Sequence, residues 1–139
     1  FKMYLESLDD YEVALKLNPK VASIYYARGN SRLILKDYSG AIFDFSKAIV
    51  IDPKHKSAYI NRGIAKKNIG DFQGSIIDYE TVLSMNSKNK VVLHNLALSK
   101  KEIGDIKGAC LAMKESLSLG NKLAWKFVDN ECKEKVENV

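Results

Sequence analysis

Proline is almost missing: there are 2 residues of it in 139, beside only 8 glycines. That scarcity argues against collagen-like, disordered and turn-rich all-β chains. Cysteine is as scarce, with Cys110 and Cys132 alone. Two thiols are too few for a scaffold of bridges, so a reducing compartment, the cytoplasm, is the default reading. Arginine supplies only 3 of the 22 basic residues. Bidentate phosphate contacts favour arginine, so nucleic acid is not expected as a partner despite the net charge of +5. No apolar run approaches the roughly 18 residues of a membrane span, so no membrane partner is expected. The first residues, Phe1-Lys2-Met3-Tyr4-Leu5-Glu6, lack the apolar centre of a signal peptide. The chain does not begin with Met, and reads as a piece of a longer one.

Catalytic and metal signatures are also missing. There is no H-E-x-x-H, no C-x-x-C and no phosphate-binding glycine loop. No cofactor, metal or catalytic residue is therefore expected, and the chain reads as a non-enzyme. Of the two histidines, His55 falls in an expected loop and should face solvent. Asp44, Asp78 and the Asp9-Asp10 pair should form a solvated outer face.

What is present is an ordinary globular composition, 46% apolar and 28% charged, arranged with a period of 34 residues. Gly29, Gly63 and Ala97 keep the step, as do Tyr25, Tyr59 and Leu93. Asp37, Asp71 and Asp105 keep it, with Gly40, Gly74 and Gly108 three residues on. Tyr11, Phe45, Tyr79 and Met113 run through four copies. Pro19 and Pro53 share the register, where Ser87 and Asn121 then stand. Apolar residues recur at three and four within each unit, broken at Gly70-Asp71 and Asp52-Pro53. The pattern predicts helices over 2–16, 22–35, 38–50, 56–69, 72–84, 90–103, 106–119 and 122–136. Small residues should face each other within a hairpin: Gly29 with Ala41, Gly63 with Ser75, Ala97 with Ala109. No single hairpin can cover its own apolar face, so neighbours must stack.

Counted from Ala22, the small residues at the eighth and twentieth positions, the aromatic at the twenty-fourth and the proline at the thirty-second resemble tetratricopeptide repeats. Tyr25, Gly29, Tyr38, Ala41, Phe45, Ala48 and Pro53 carry the resemblance in the first unit. The second unit keeps Tyr59, Gly63, Phe72, Ser75 and Tyr79, and the third is weaker, with Leu93, Ala97, Ile106, Ala109 and Met113. The resemblance implies an all-α, right-handed superhelical solenoid of antiparallel hairpins, about eight helices in all. It divides 1–139 into a back half-repeat (1–21), three repeats (22–55, 56–89 and 90–123) and a capping helix (124–139). It also implies a concave groove lined by the first helices, used to bind peptides or partner proteins.

By that analogy, the groove residues are Tyr26, Asn30, Asn61, Ile64, Lys67, His94, Asn95 and Lys101. Asn61 and Asn95 share one register, and their amides suit a peptide backbone. Arg32, Lys66, Lys67, Lys100 and Lys101 recur near the ends of first helices, where cations favour the helix dipole; they also suit an acidic partner. Family members that clamp acidic chaperone tails place cations where this chain has Tyr26, Val91 and Asn95, so no such clamp is expected. Two further expectations concern the ends. Tyr4, Leu8 and Tyr11 should leave an apolar edge open to self-association, the basis of an alternative reading as an end-to-end assembly domain. Ala124, Trp125, Phe127 and Val128 should pack inward, with Glu131, Lys133, Glu134, Lys135 and Glu137 outward. Cys110 and Cys132 are expected as free buried thiols, a bridge requiring Cα atoms within about 7 Å.

Overall fold

In the computed structural model, residues 1–86 and 88–133 are described. Ser87, Glu134, Lys135 and Glu137, named above, lie outside them. Among the described residues eight helices follow one another: α1 (Lys2–Leu17), α2 (Ala22–Ile34), α3 (Tyr38–Ile51), α4 (Lys56–Asn68), α5 (Phe72–Met85), α6 (Lys90–Glu102), α7 (Ile106–Ser118) and α8 (Ala124–Glu131). The chain is an all-α solenoid of antiparallel hairpins. The tightest packing is within the pairs α2/α3, α4/α5 and α6/α7, and each pair also touches the next.

The punctuation is periodic for chemical reasons. Asp37, Asp71 and Asp105 accept from the backbone N–H of Gly40, Gly74 and Gly108 at 3.0, 2.9 and 2.9 Å. Each thereby satisfies one orphan donor at a helix start. A side chain at any of those glycines would collide with the capping carboxylate. Between hairpins, Asn18, Asp52 and Asn86 fold back on the N–H two residues on, at 3.2, 3.2 and 3.3 Å. The turns inside hairpins need one left-handed residue, supplied by Lys36 (φ 63°), Gly70 (φ 84°) and Gly104 (φ 84°).

The first two hairpins close on a ring. A Cβ built on Gly29 would lie 2.7 Å from the Phe45 ring, and one on Gly63 would lie 2.6 Å from the Tyr79 ring. The small residue thus seats an aromatic sixteen positions on. Phe45, Tyr79 and Met113, at one register, are all fully buried. The Tyr79 hydroxyl has no hydrogen-bond partner among the described residues, and burial pushes the group well above its ordinary pKa.

Asp44 and Asp78 are not on a solvated face: their exposures are 0% and 1%. Asp44 receives Arg28 at 2.7 Å and Arg32 at 3.0 Å; Asp78 receives Arg62 at 2.7 Å and Lys66 at 3.2 Å. A carboxylate can be buried here because the first helix of the same hairpin delivers two cations to it. The hydrogen bonds that Arg28 donates to Asp44 push its guanidinium above its already high value. All three arginines of the chain are used in this way. Asp9 and Asp10 are exposed.

Three expectations at single residues are also corrected. His55 is half-buried: its Nδ1 accepts from the Ala58 N–H at 3.2 Å, capping α4, and its ring lies 4.7 Å from that of Tyr26. Trp125 is 60% exposed, while Ala124, Phe127 and Val128 join the core. Cys110 and Cys132 are bridged, with Cα atoms 5.6 Å apart. The helix expected over 122–136 would have kept Cys132 in helical register. In fact α8 stops at Glu131, which frees Cys132 to turn onto α7.

Candidate interaction groove

The first helices α2, α4 and α6 lie side by side, with α2 touching α4 and α4 touching α6. The eight residues expected in the groove sit on these three helices, and seven of them fall into two groups. In the first, the Asn61 amide donates to Asn30 Oδ1 at 2.7 Å and to the Tyr26 hydroxyl at 3.3 Å. Tyr26 is in turn held by Phe45 and His55, at ring distances of 5.9 and 4.7 Å. These contacts bind α2 to α4, and they occupy both amide hydrogens of Asn61. Ile64 and Lys67, one and two turns on, are half-buried.

The second group surrounds a cavity of about 150 Å³ lined by Lys90, Val91, His94 and Asn95 from α6 and by Asn121 and Leu123 from the connection to α8. The Asn121 amide faces His94 Nδ1 at 3.0 Å and donates to Ser116 Oγ at 2.9 Å. Burial and the charge of Lys67 hold His94 below its ordinary pKa, favouring the neutral ring. Asn95 is half-buried and has no hydrogen-bond partner among the described residues. Asn61 and Asn95 therefore share a register but not a situation.

Lys101 lies apart from both groups. It pairs with Glu131 at 2.7 Å and stands over the Phe127 ring at 5.5 Å, tying α6 to α8. The expected basic strip is mostly neutralised: Arg32 and Lys66 are held by Asp44 and Asp78, and Lys100 meets Glu80 at 3.5 Å. Lys67 makes no ion pair among the described residues. Sequence reasoning missed Arg28 and Arg62 altogether. Their signal was the joint step Arg28/Asp44 and Arg62/Asp78, which changes together to Leu96/Ala112 in the third unit. Among the described residues, no group of three His, Cys, Asp or Glu could hold a metal ion. No described helix is long and apolar enough to cross a membrane.

No curated protein sequence matches the chain. Among solved structures, it resembles MamA at 20% identity and a TM-score of 0.79, over 84% of this chain and 68% of that one. It resembles MamA 41-end from Desulfovibrio magneticus RS-1 at 19% and 0.81, over 84% and 66%. It also resembles the first TPR of Spaghetti (RPAP3) bound to the HSP90 peptide SRMEEVD, at 18% and 0.76, over 80% and 90%. At such identities the likeness is one of fold, and the chain spans about two thirds of the MamA chains. Family models for the tetratricopeptide repeat match residues 22–55 and 57–89. With the 34-residue step and the glycine-seated rings of those same two units, the matches make this a tetratricopeptide repeat protein.

Proposed function

We propose that the chain is a non-catalytic scaffold that binds an extended peptide or partner segment along the face of α2, α4 and α6. The observation that carries this reading is Asn95, a half-buried amide with no partner among the described residues. Its amide is open to solvent rather than buried and unsatisfied, and a peptide backbone offers both the donor and the acceptor it can take in place of water. A structural neighbour of the same fold is bound to a peptide, which supports the same class of ligand. The cations of an acidic-tail clamp are replaced by Tyr26, Val91 and Asn95, so a chaperone tail held in that manner is not part of the proposal. Nucleic acid is not part of it either.

The test is capture of partners with this chain as bait, followed by titration of the captured segment against wild type and Asn95→Ala. The variant should bind several-fold to tenfold more weakly, since a hydrogen bond contributes about 0.5–1.5 kcal/mol and 1.4 kcal/mol is tenfold. Unchanged affinity with every groove variant would remove the reading.

A second reading, end-to-end assembly, is favoured by α1. Tyr4, Leu8 and Tyr11 are half-buried rather than bare, but Met3 (68%), Leu5 (56%), Val13 (59%) and Leu17 (84%) are exposed on the same helix. Sedimentation of wild type against Leu5→Lys/Val13→Lys decides it: association lost in the variant supports assembly, and a monomer in both rejects it.

A further inference from the structure

The cavity beside Asn95 is built to a particular size and chemistry. Its rim carries two large aliphatic side chains left in water, Val91 at 57% and Leu123 at 81% exposure. Its volume of about 150 Å³ matches that of an apolar protein cavity able to hold a benzene-sized molecule, so one aliphatic side chain fits. The polar end is oriented. Both hydrogens of the Asn121 amide are directed, one at His94 Nδ1 and one at Ser116 Oγ. With Nδ1 accepting, the neutral His94 ring carries its proton on Nε2. That N–H has no partner among the described residues, and neither has the Asn95 amide.

The surroundings are positive. Lys90 lines the cavity, Lys67 is close enough to depress the His94 pKa, and neither makes an ion pair among the described residues. No carboxylate lines the cavity. The apolar rim speaks against a nucleic-acid backbone, and the free amide and N–H speak for a polypeptide. The second wall is also fixed in place: Leu123 opens α8, whose far end is bridged to α7 through Cys132 and held by Lys101–Glu131. A wall that needs no reordering on binding favours affinity.

We propose that this cavity is the anchor subsite of the groove: an extended acidic peptide inserts one aliphatic side chain between Val91 and Leu123, while Asn95 and His94 Nε2–H hold its backbone. The proposal rests on the groove reading above and adds the partner's chemistry, an aliphatic residue flanked by Asp or Glu.

The experiment is selection of a random nonapeptide display library on the whole chain. Enriched peptides are titrated by fluorescence anisotropy and located by backbone amide shifts. The expected result is a shared aliphatic position with Asp or Glu within two residues, and the largest shifts at Val91, His94, Asn95 and Leu123. Leu123→Ser should weaken those peptides about tenfold without unfolding the chain, because Leu123 is 81% exposed. Leu123→Met should restore most of the loss. Exchanging the peptide's Asp and Glu for Asn and Gln should weaken it at least threefold at low salt. Peptides that shift α2, α4 and α6 but show no aliphatic position, or that ignore Leu123→Ser, overturn the anchor and leave the groove reading standing. Neutral peptides binding as well as acidic ones overturn the acidic partner. Shifts confined to α1 or to the second helices, or no enriched peptide, overturn the groove reading and the anchor with it.

Discussion

The second and third hairpins share a backbone plan and solve its interior in opposite ways. Between α4 and α5, Gly63 seats the Tyr79 ring, and Arg62 and Lys66 neutralise a buried Asp78. Between α6 and α7, the same registers hold Ala97 and Met113, then Leu96 and Ala112, all buried, while Lys100 reaches out to Glu80. The first hairpin follows the second, with Gly29, Phe45, Arg28, Arg32 and Asp44. The two family matches likewise end at residue 89. Glycine with a ring, or alanine with a flexible thioether, fills the space equally. A buried ion cluster and an apolar contact are close in net free energy, provided that each is complete. The unit requires a filled, neutral interior rather than particular residues.

The largest effect should come from leaving one solution half-made. Asp78→Ala leaves Arg62 and Lys66 without their carboxylate and should lower stability by about 3–5 kcal/mol in urea unfolding. The double change Arg62→Leu/Asp78→Ala copies the third hairpin and should recover much of that loss. A double variant no better than the single one would break the equivalence. Next is the bridge that ties the third unit to the end of α8. It closes 22 residues, and its reduction should cost about 3 kcal/mol on the chain-entropy account. Faster hydrogen exchange should be confined to α7 and α8; acceleration spreading evenly into α2 and α3 would contradict the nearest-neighbour picture. Gly63→Ala should be smaller, at about 1–3 kcal/mol of overpacking. Adding Tyr79→Met should relieve it, since Ala97 lies with Met113 in the third hairpin.

The smallest effect is a pH response that belongs to the third hairpin. His94 stands where the others have Tyr26 and Ile60, and it faces Lys67 on α4, Lys90 on its own helix and Asn121 from the connection. Because its folded pKa is lowered, its stabilising contribution is full above the ordinary value of 6.5. It is lost as pH falls from there to the folded value, and is flat below. Thermal melts of wild type and His94→Gln across that window should converge at high pH and separate below it, with wild type losing more.

The helices were legible because a 34-residue step repeats every signal several times. Asp71 as a cap can be doubted alone, but not beside Asp37 and Asp105. Seven of the eight helices end within a residue of expectation; α8 had no second copy to check against. The buried charges escaped because a helical-face count treats any carboxylate as surface. Asp44 is inside only because Arg28 and Arg32, on the helix before, come with it. The cap made by His55 escaped because imidazole is an uncommon cap. At the candidate groove, register could place Asn61 and Asn95 alike, but it could not show that Tyr26 and Asn30 already engage one of them. That difference lies between helices, not within one.

The pairing of solutions within each hairpin also bears on how such genes can rearrange. An exchange that joined α4 to α7 would set Arg62 and Lys66 against Ala112 and leave space between Gly63 and Met113. The reciprocal product, α6 with α5, would set Asp78 against Leu96 and press the Tyr79 ring onto the Ala97 methyl. Both recombinants inherit mismatched halves. Breakpoints between α3 and α4, or between α5 and α6, keep every Asp with its cations and every ring with its glycine. Duplication and loss in this array should therefore proceed by whole hairpins, cut in the turns of Asn18, Asp52 and Asn86.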